Sequence, residues 1–161
     1  MSMQRIVSGV RRVPTLLLVD DRRTNLLCLK LLLEPEGYRL LTASSGAAAL
    51  GTLRTDHVDV VILDVMMPGL DGIEVAERMR ASPMTAGAPI LFVTAAPDEV
   101  ERFSQRDRED VAVLPKPVDG DSLRKLVTRL LLLRADGGAS SGVSRRGSRR
   151  ARRGRAVRCV R

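Results

Sequence analysis

The chain has no tryptophan, one tyrosine and two phenylalanines, Tyr38, Phe92 and Phe103. Three rings cannot fill a domain interior, so a core here must be built from leucine, isoleucine, valine and alanine. No apolar run approaches the ~20 residues of a membrane-spanning helix. The first thirteen residues lack the continuous apolar stretch of a secretion signal. No membrane insertion is expected, and the expected location is the cytoplasm. Cysteine is scarce: Cys28 lies inside a leucine-rich helical pattern and Cys159 in a polar tail. Such a placement suits neither a disulfide nor a metal site, and Cys28 reads as a small buried hydrophobe. The lone histidine, His57, has no second ligand or nucleophile beside it and reads as a loop residue. A glycine-rich phosphate loop of either standard spacing is absent, as is any internal repeat.

The formal net charge of +8 is unevenly spread. Residues 134–161 contain ten arginines and one aspartate, leaving 17 bases against 18 acids in residues 1–133. The basicity therefore belongs to an Arg-rich, low-complexity tail, expected to be disordered. Nine arginines between Arg145 and Arg161 could hold a polyanion weakly and in a salt-dependent manner. The tail offers no aromatic ring for base stacking, and no helix-turn-helix pattern follows residue 133. A chain of 161 residues has room for one domain of 13–133, a flexible segment over 1–12, and this extension.

What the domain does contain is a regular alternation. Short aliphatic runs at 15–19, 39–43, 58–63, 89–93 and 111–114 are rich in β-branched residues or leucine and too short for core helices. Between them lie helical patterns: leucines at 26, 27, 29, 31 and 33, stopped by Pro35 and Gly37; Ala48, Ala49, Leu50 and Leu53 behind a Ser45 cap; Ile73, Ala76 and Met79; and Leu123, Leu126, Val127 and Leu130, ended by Gly137 and Gly138. The segment 98–110 is densely charged and offers only Val100 and Phe103 for burial, so a helix there is short and weakly held. The pattern predicts an α/β protein with (βα)5 organisation, a doubly wound, five-stranded parallel sheet covered on both faces.

The strand ends carry the chemistry. Asp20 and Asp21 follow the first strand, Asp64 the third, Thr94 the fourth and Lys116 the fifth, all on one edge of a parallel sheet, where ligands bind. Three converging carboxylates repel one another unless a cation sits among them. Mg²⁺, which takes one or two carboxylates, keeps waters and accepts a phosphoryl oxygen, suits that need. Lys116 supplies a point charge and Thr94 a hydroxyl donor to the same oxygen. The chemistry described is phosphoryl transfer onto a carboxylate.

With these residues in this order and spacing, the chain resembles the receiver domains of two-component response regulators, of the flavodoxin-like fold. The resemblance implies strand order 2-1-3-4-5 for the sheet. It also implies that Asp64 is the phosphoacceptor, that Asp21 is a direct Mg²⁺ ligand and that Asp20 acts largely through water. The Met66 backbone carbonyl would be a further ligand, and Thr94 and Lys116 would contact the phosphoryl group. The Lys116–Pro117 bond would be cis. Such a protein is a phosphoacceptor and not an enzyme toward other substrates; self-phosphotransfer and autodephosphorylation are its only reactions. Its partners are a sensor histidine kinase or phosphotransfer protein and an unspecified downstream target.

Two positions depart from the family pattern. Val113 stands where an aromatic commonly turns inward on phosphorylation, and the common Gly-Ala pair before the fifth strand is missing from residues 108–111. Two other readings share some features. A haloacid dehalogenase-type Mg²⁺ phosphatase requires an acid two residues after its nucleophile, where this chain has Met66, and a nucleic-acid-binding protein would act through the tail.

Overall fold

The structure, a computed structural model, describes residues 5–7, 10–104 and 108–138. Inside the segment expected to be flexible, β1 (Arg5–Val7) and β2 (Val10–Arg12) pair antiparallel as a separate ribbon. The domain follows as β3 (Thr15–Val19), α1 (Arg23–Leu33), β4 (Arg39–Ala43), α2 (Gly46–Thr55), β5 (Val60–Leu63), α3 (Gly72–Ala81), β6 (Ile90–Thr94), α4 (Pro97–Ser104), β7 (Val111–Pro115) and α5 (Gly120–Gly138). The five strands β3 to β7 form one parallel sheet in the order β4-β3-β5-β6-β7, which is 2-1-3-4-5 when β3 is counted first. Pro115, unable to donate to a ladder, is accommodated because β7 is an edge strand.

Alternation along each strand divides the interior into two apolar layers. Leu17, Val19, Val61, Leu63, Ile90 and Phe92 face α2, α3 and α4, packing on Ala49, Leu53, Val75, Met79 and Val100. Leu16, Leu18, Val60, Ile62, Leu91 and Val93 face α1 and α5, packing on Leu26, Leu29, Leu33, Leu123, Val127 and Leu130. Strands flanked on both sides in this way have no polar face, which is why they read as unbroken aliphatic runs. Phe103 meets Phe92 edge to face with ring centroids 5.6 Å apart, so α4 is held by that contact together with the fully buried Val100.

Local signals act as the residue types suggest. Ser45 Oγ accepts from the Ala48 N–H at 3.1 Å, and Asp71 and Glu74 form a reciprocal capping box at the start of α3. Gly37, with φ of 74°, ends the short 3₁₀ turn Glu34–Glu36 after α1. At the amino-terminal edge of the sheet, the nearly buried Arg80 guanidinium donates to the carbonyls of Ala86 and Ala88 at 2.6 and 2.7 Å and pairs with Asp110 at 2.9 Å. Burial lowers its pKa; Asp110 offsets part of that and Arg108 adds to it.

Three expectations need correction. Cys28 is exposed, because burial of Leu26, Leu29 and Leu33 fixes the phase of α1 and turns position 28 outward; the same phase leaves Leu27 57% and Leu31 60% exposed. Val75, which the helical reading of α3 passed over, is fully buried, whereas Ile73 is half-buried. The last helix runs to Gly138, so the boundary placed at residue 133 falls inside α5. The tail beyond it, and with it the expected disorder, lies outside the described residues.

Leu91 sits in the middle of β6 with no exposed surface. Leu91→Ala is expected to lower unfolding free energy by about 2–5 kcal/mol in urea titrations, the range for a leucine cavity that cannot collapse.

Candidate functional site

In this strand order the chain reverses direction across the sheet between β3 and β5, and the crevice outside their carboxyl ends is where such sheets bind ligands. Asp20 follows β3 and Asp64 follows β5, and the Asp64 N–H donates to the Val19 carbonyl at 2.9 Å, stitching the two ends together. Asp20 and Asp64 are buried, at 1% and 5% exposure, whereas Asp21 is exposed. One carboxylate oxygen from each of the three lies within 4.8 Å of the others.

Lys116 reaches this cluster from the end of β7. Its Nζ donates to Asp20 Oδ2 at 2.9 Å and to Asp64 Oδ2 at 3.2 Å. Burial alone would lower the lysine pKa, but the hydrogen bonds and charges of Asp20 and then Asp64 outweigh it and the net shift is upward. The Lys116 N–H donates to the Thr94 carbonyl at 2.9 Å, which fixes the backbone that carries the side chain. The Lys116–Pro117 bond is cis. Thr94, the last residue of β6, is fully buried. Its Oγ1 accepts from the Ala96 N–H at 3.0 Å, which leaves the hydroxyl proton to be donated.

The loop after Asp64 is tightly wound. Val65 accepts at its carbonyl from the N–H groups of Met67 and Gly72, both at 3.0 Å, and Gly69 takes φ of 78°. The Met66 N–H donates to Asp64 Oδ1 at 3.3 Å, and the Met66 side chain is 57% exposed beside the site. Gly72 is needed for proximity: a Cβ there would overlap the Asp64 carbonyl oxygen and come within 2.8 Å of the Val65 Cα.

The structure thus brings together the side chains of Asp20, Asp21, Asp64 and Lys116, and places Thr94 at the end of β6, between the strands that carry Asp64 and Lys116. It also adds Asn25, which the sequence reading passed over. Its Nδ2 lies 3.0 and 2.9 Å from the two oxygens of Asp20, while the Arg22 N–H donates to Asp20 Oδ1 at 2.8 Å. An asparagine five residues after the acid, inside an apolar helical pattern, was the available signal. His57 belongs elsewhere: it pairs with Asp59 at 3.1 Å, and Asp59 also meets Arg12 and the Thr15 N–H at the start of β3. Three close carboxylates facing one ammonium remain short of positive charge, and hard oxygen donors of this kind fit Mg²⁺.

A doubly wound parallel sheet with an acidic, lysine-bridged cluster at its switch point defines the class: an α/β module with a charged pocket at the carboxyl ends of its strands. Residues 16–128 match the response regulator receiver domain family. The protein PilH of Pseudomonas aeruginosa is 30% identical over 116 residues, covering 72% of this chain and 96% of PilH. The transcriptional regulatory protein AfsQ1 of Streptomyces coelicolor is 35% identical over 119 residues, but these span 74% of this chain and 52% of AfsQ1. Among solved structures, the response regulator TrrA of Thermotoga maritima, in complex with Mg²⁺ and BeF, is similar with a TM-score of 0.66 and 32% identity. That match covers 73% of this chain and 99% of TrrA. The chain belongs to the response regulator receiver domain family and is a receiver of phosphorelay signals. Neither the phosphatase nor the nucleic-acid reading gains support from these matches.

Two glycines separate proximity from helix propensity. Gly51, inside α2, has nothing within 4 Å of the place a methyl group would take, whereas Gly72 abuts the Asp64 backbone. Gly51→Ala is expected to stabilise by roughly 0.5–1 kcal/mol, while Gly72→Ala destabilises by about 1–3 kcal/mol because backbone must shift; thermal unfolding of both variants checks the opposite signs.

Proposed function

We propose that Asp64 is the phosphoacceptor and that the phosphoryl group comes from the phosphohistidine of a sensor histidine kinase or phosphotransfer protein. The observation that carries this reading is the Lys116 ammonium held between Asp20 and Asp64, with Thr94 at the adjoining strand end. A carboxylate oxygen of Asp64 attacks phosphorus in line with the donor imidazole. The new P–O bond forms as the P–N bond breaks, and the departing imidazole takes a proton from solvent. Lys116 shifts from the carboxylate pair toward a phosphoryl oxygen, and Thr94 donates its hydroxyl hydrogen to the same group. Hydrolysis of the resulting acyl phosphate by water returns Asp64 to its starting state, so autodephosphorylation is the only turnover.

Asp21 would hold Mg²⁺ directly, Asp20 through water, and Asp64 and the Met66 carbonyl would complete the protein's share. When bound, the ion neutralises the charge that builds between the acceptor carboxylate and the incoming phosphoryl oxygens. A kinase partner implies the cytoplasm, where the ATP that charges a kinase is found. The whole protein's partners and output follow from this reading and not from the relatives, because the chain spans only about half of AfsQ1.

Incubation with acetyl phosphate and Mg²⁺, followed by mass spectrometry, tests the assignment. Wild type gains one phosphate at Asp64; Asp64→Asn gains none, because an amide is not a nucleophile. Asp21→Ala keeps the fold and loses most metal binding, since removing one of three crowded carboxylates relieves repulsion. Full incorporation by Asp64→Asn would sink the proposal.

Signal output follows a route set by side-chain size. Val113 is too small to fill the space that Thr94 and Lys116 vacate, and α4 is attached chiefly through Val100 and Phe103. The order of residues 95–104 and 108–110, the described part of the segment 95–110, therefore shifts on phosphorylation while β7 stays nearly unmoved. Hydrogen exchange with and without beryllofluoride is expected to change in 95–104 and 108–110; a change confined to Val111–Leu114 contradicts it.

A further inference from the structure

Asp20 is 1% exposed, and its carboxylate is held by three groups. The Arg22 N–H donates to Oδ1 at 2.8 Å and Lys116 Nζ to Oδ2 at 2.9 Å, while the Asn25 amide nitrogen spans both oxygens at 3.0 and 2.9 Å. The chemistry sets which way the amide faces, because its oxygen in that place would oppose two carboxylate oxygens. Of the three holders, the backbone N–H fixes only Oδ1. Lys116 is the most mobile, a point charge on a four-carbon stem that also donates to Asp64. Once Lys116 turns toward a phosphoryl oxygen, Asn25 is the side chain left to stop the Asp20 carboxylate from rotating about its χ2 bond.

Helix formation does not explain an asparagine at this position. Asn25 sits in the first turn of α1, where its backbone N–H already bonds to the Arg22 carbonyl at 3.1 Å, and asparagine is a poorer helix former than alanine. The side chain is half-buried and its amide is directed at Asp20, not at the helix backbone. Losing a group that orients a metal-binding carboxylate typically costs about 10–100-fold in metal affinity.

We propose that Asn25 is a positioning residue for the divalent cation, acting through Asp20. The inference rests on the receiver reading of the site. Mg²⁺ demands near-ideal octahedral geometry, whereas Ca²⁺ accepts variable geometry and ligand number, so a loosened Asp20 penalises Mg²⁺ more.

Isothermal titration calorimetry of the full chain with Mg²⁺ and, separately, Ca²⁺ tests it on wild type, Asn25→Ala and Asn25→Leu. Thermal unfolding in EDTA establishes that each variant is folded, and the leucine variant keeps bulk and helix propensity if the alanine variant does not fold. Mg²⁺ affinity is expected to fall by about tenfold or more in both variants, with a clearly smaller loss for Ca²⁺. Mg²⁺ affinity within about twofold of wild type in a folded variant overturns the inference alone. Equal losses for the two ions do the same, because they indicate general loosening of the site. If wild type binds neither ion, the metal-dependent reading of the site falls and takes this inference with it.

Discussion

Like charges in a confined space set the terms for this molecule. Asp20, Asp21 and Asp64 converge within 4.8 Å, two of them nearly out of water, with the Lys116 ammonium to offset them. Carboxylates so placed are stable only if the surroundings supply donors, and the neighbouring chain does: Lys116, the Arg22 and Met66 N–H groups, and Asn25 all point inward. A deficit of positive charge remains at the cluster. Binding and folding are therefore in tension here, as is usual where a site is held ready for a ligand.

That tension is tolerable because the rest of the domain is rigid where it meets the site. Buried apolar strands hold the end residues in fixed register, and Asp64 is tied to β3 through the Val19 carbonyl. Gly72 lets α3 start in direct contact with the Asp64 backbone, and the Asp71–Glu74 box fixes that start. By contrast α4 is charged, short and attached by few side chains. Rigidity at Asp64 next to weak attachment one strand away is the arrangement a conformational signal requires.

Most of this was legible in the sequence, for a physical reason. Strands covered on both faces must be aliphatic throughout, so β3, β5 and β6 announce themselves, and a polar residue ending each one is conspicuous. Ser45, Gly37 and Pro35 mark element ends through local chemistry alone. What stayed hidden depends on phase or on distant partners. Leucines occupy both faces of α1, so only packing decides that Leu26, Leu29 and Leu33 go inward and that Cys28 goes out. Asn25 and Arg80 look like ordinary helix residues until the chain folds. Asn25 then lies against Asp20, and Arg80 reaches the carbonyls after Ser82 and, across a longer span of chain, Asp110.

The sheet also works as a partition. One apolar layer contains α1 and α5, the other α2, α3 and α4, and side chains in the two layers meet only through the strand backbones. Substitutions that lie on opposite faces, far apart and on different strands, therefore act on stability as separate sites whose effects add. The charged cluster at the strand ends is the place where both layers contribute to one object: Asn25 arrives on the α1 side and Gly72 on the α3 side. A lineage of such domains can therefore remodel the surface of one layer for a new partner while the other layer, and the register that aims Asp64, stay as they were.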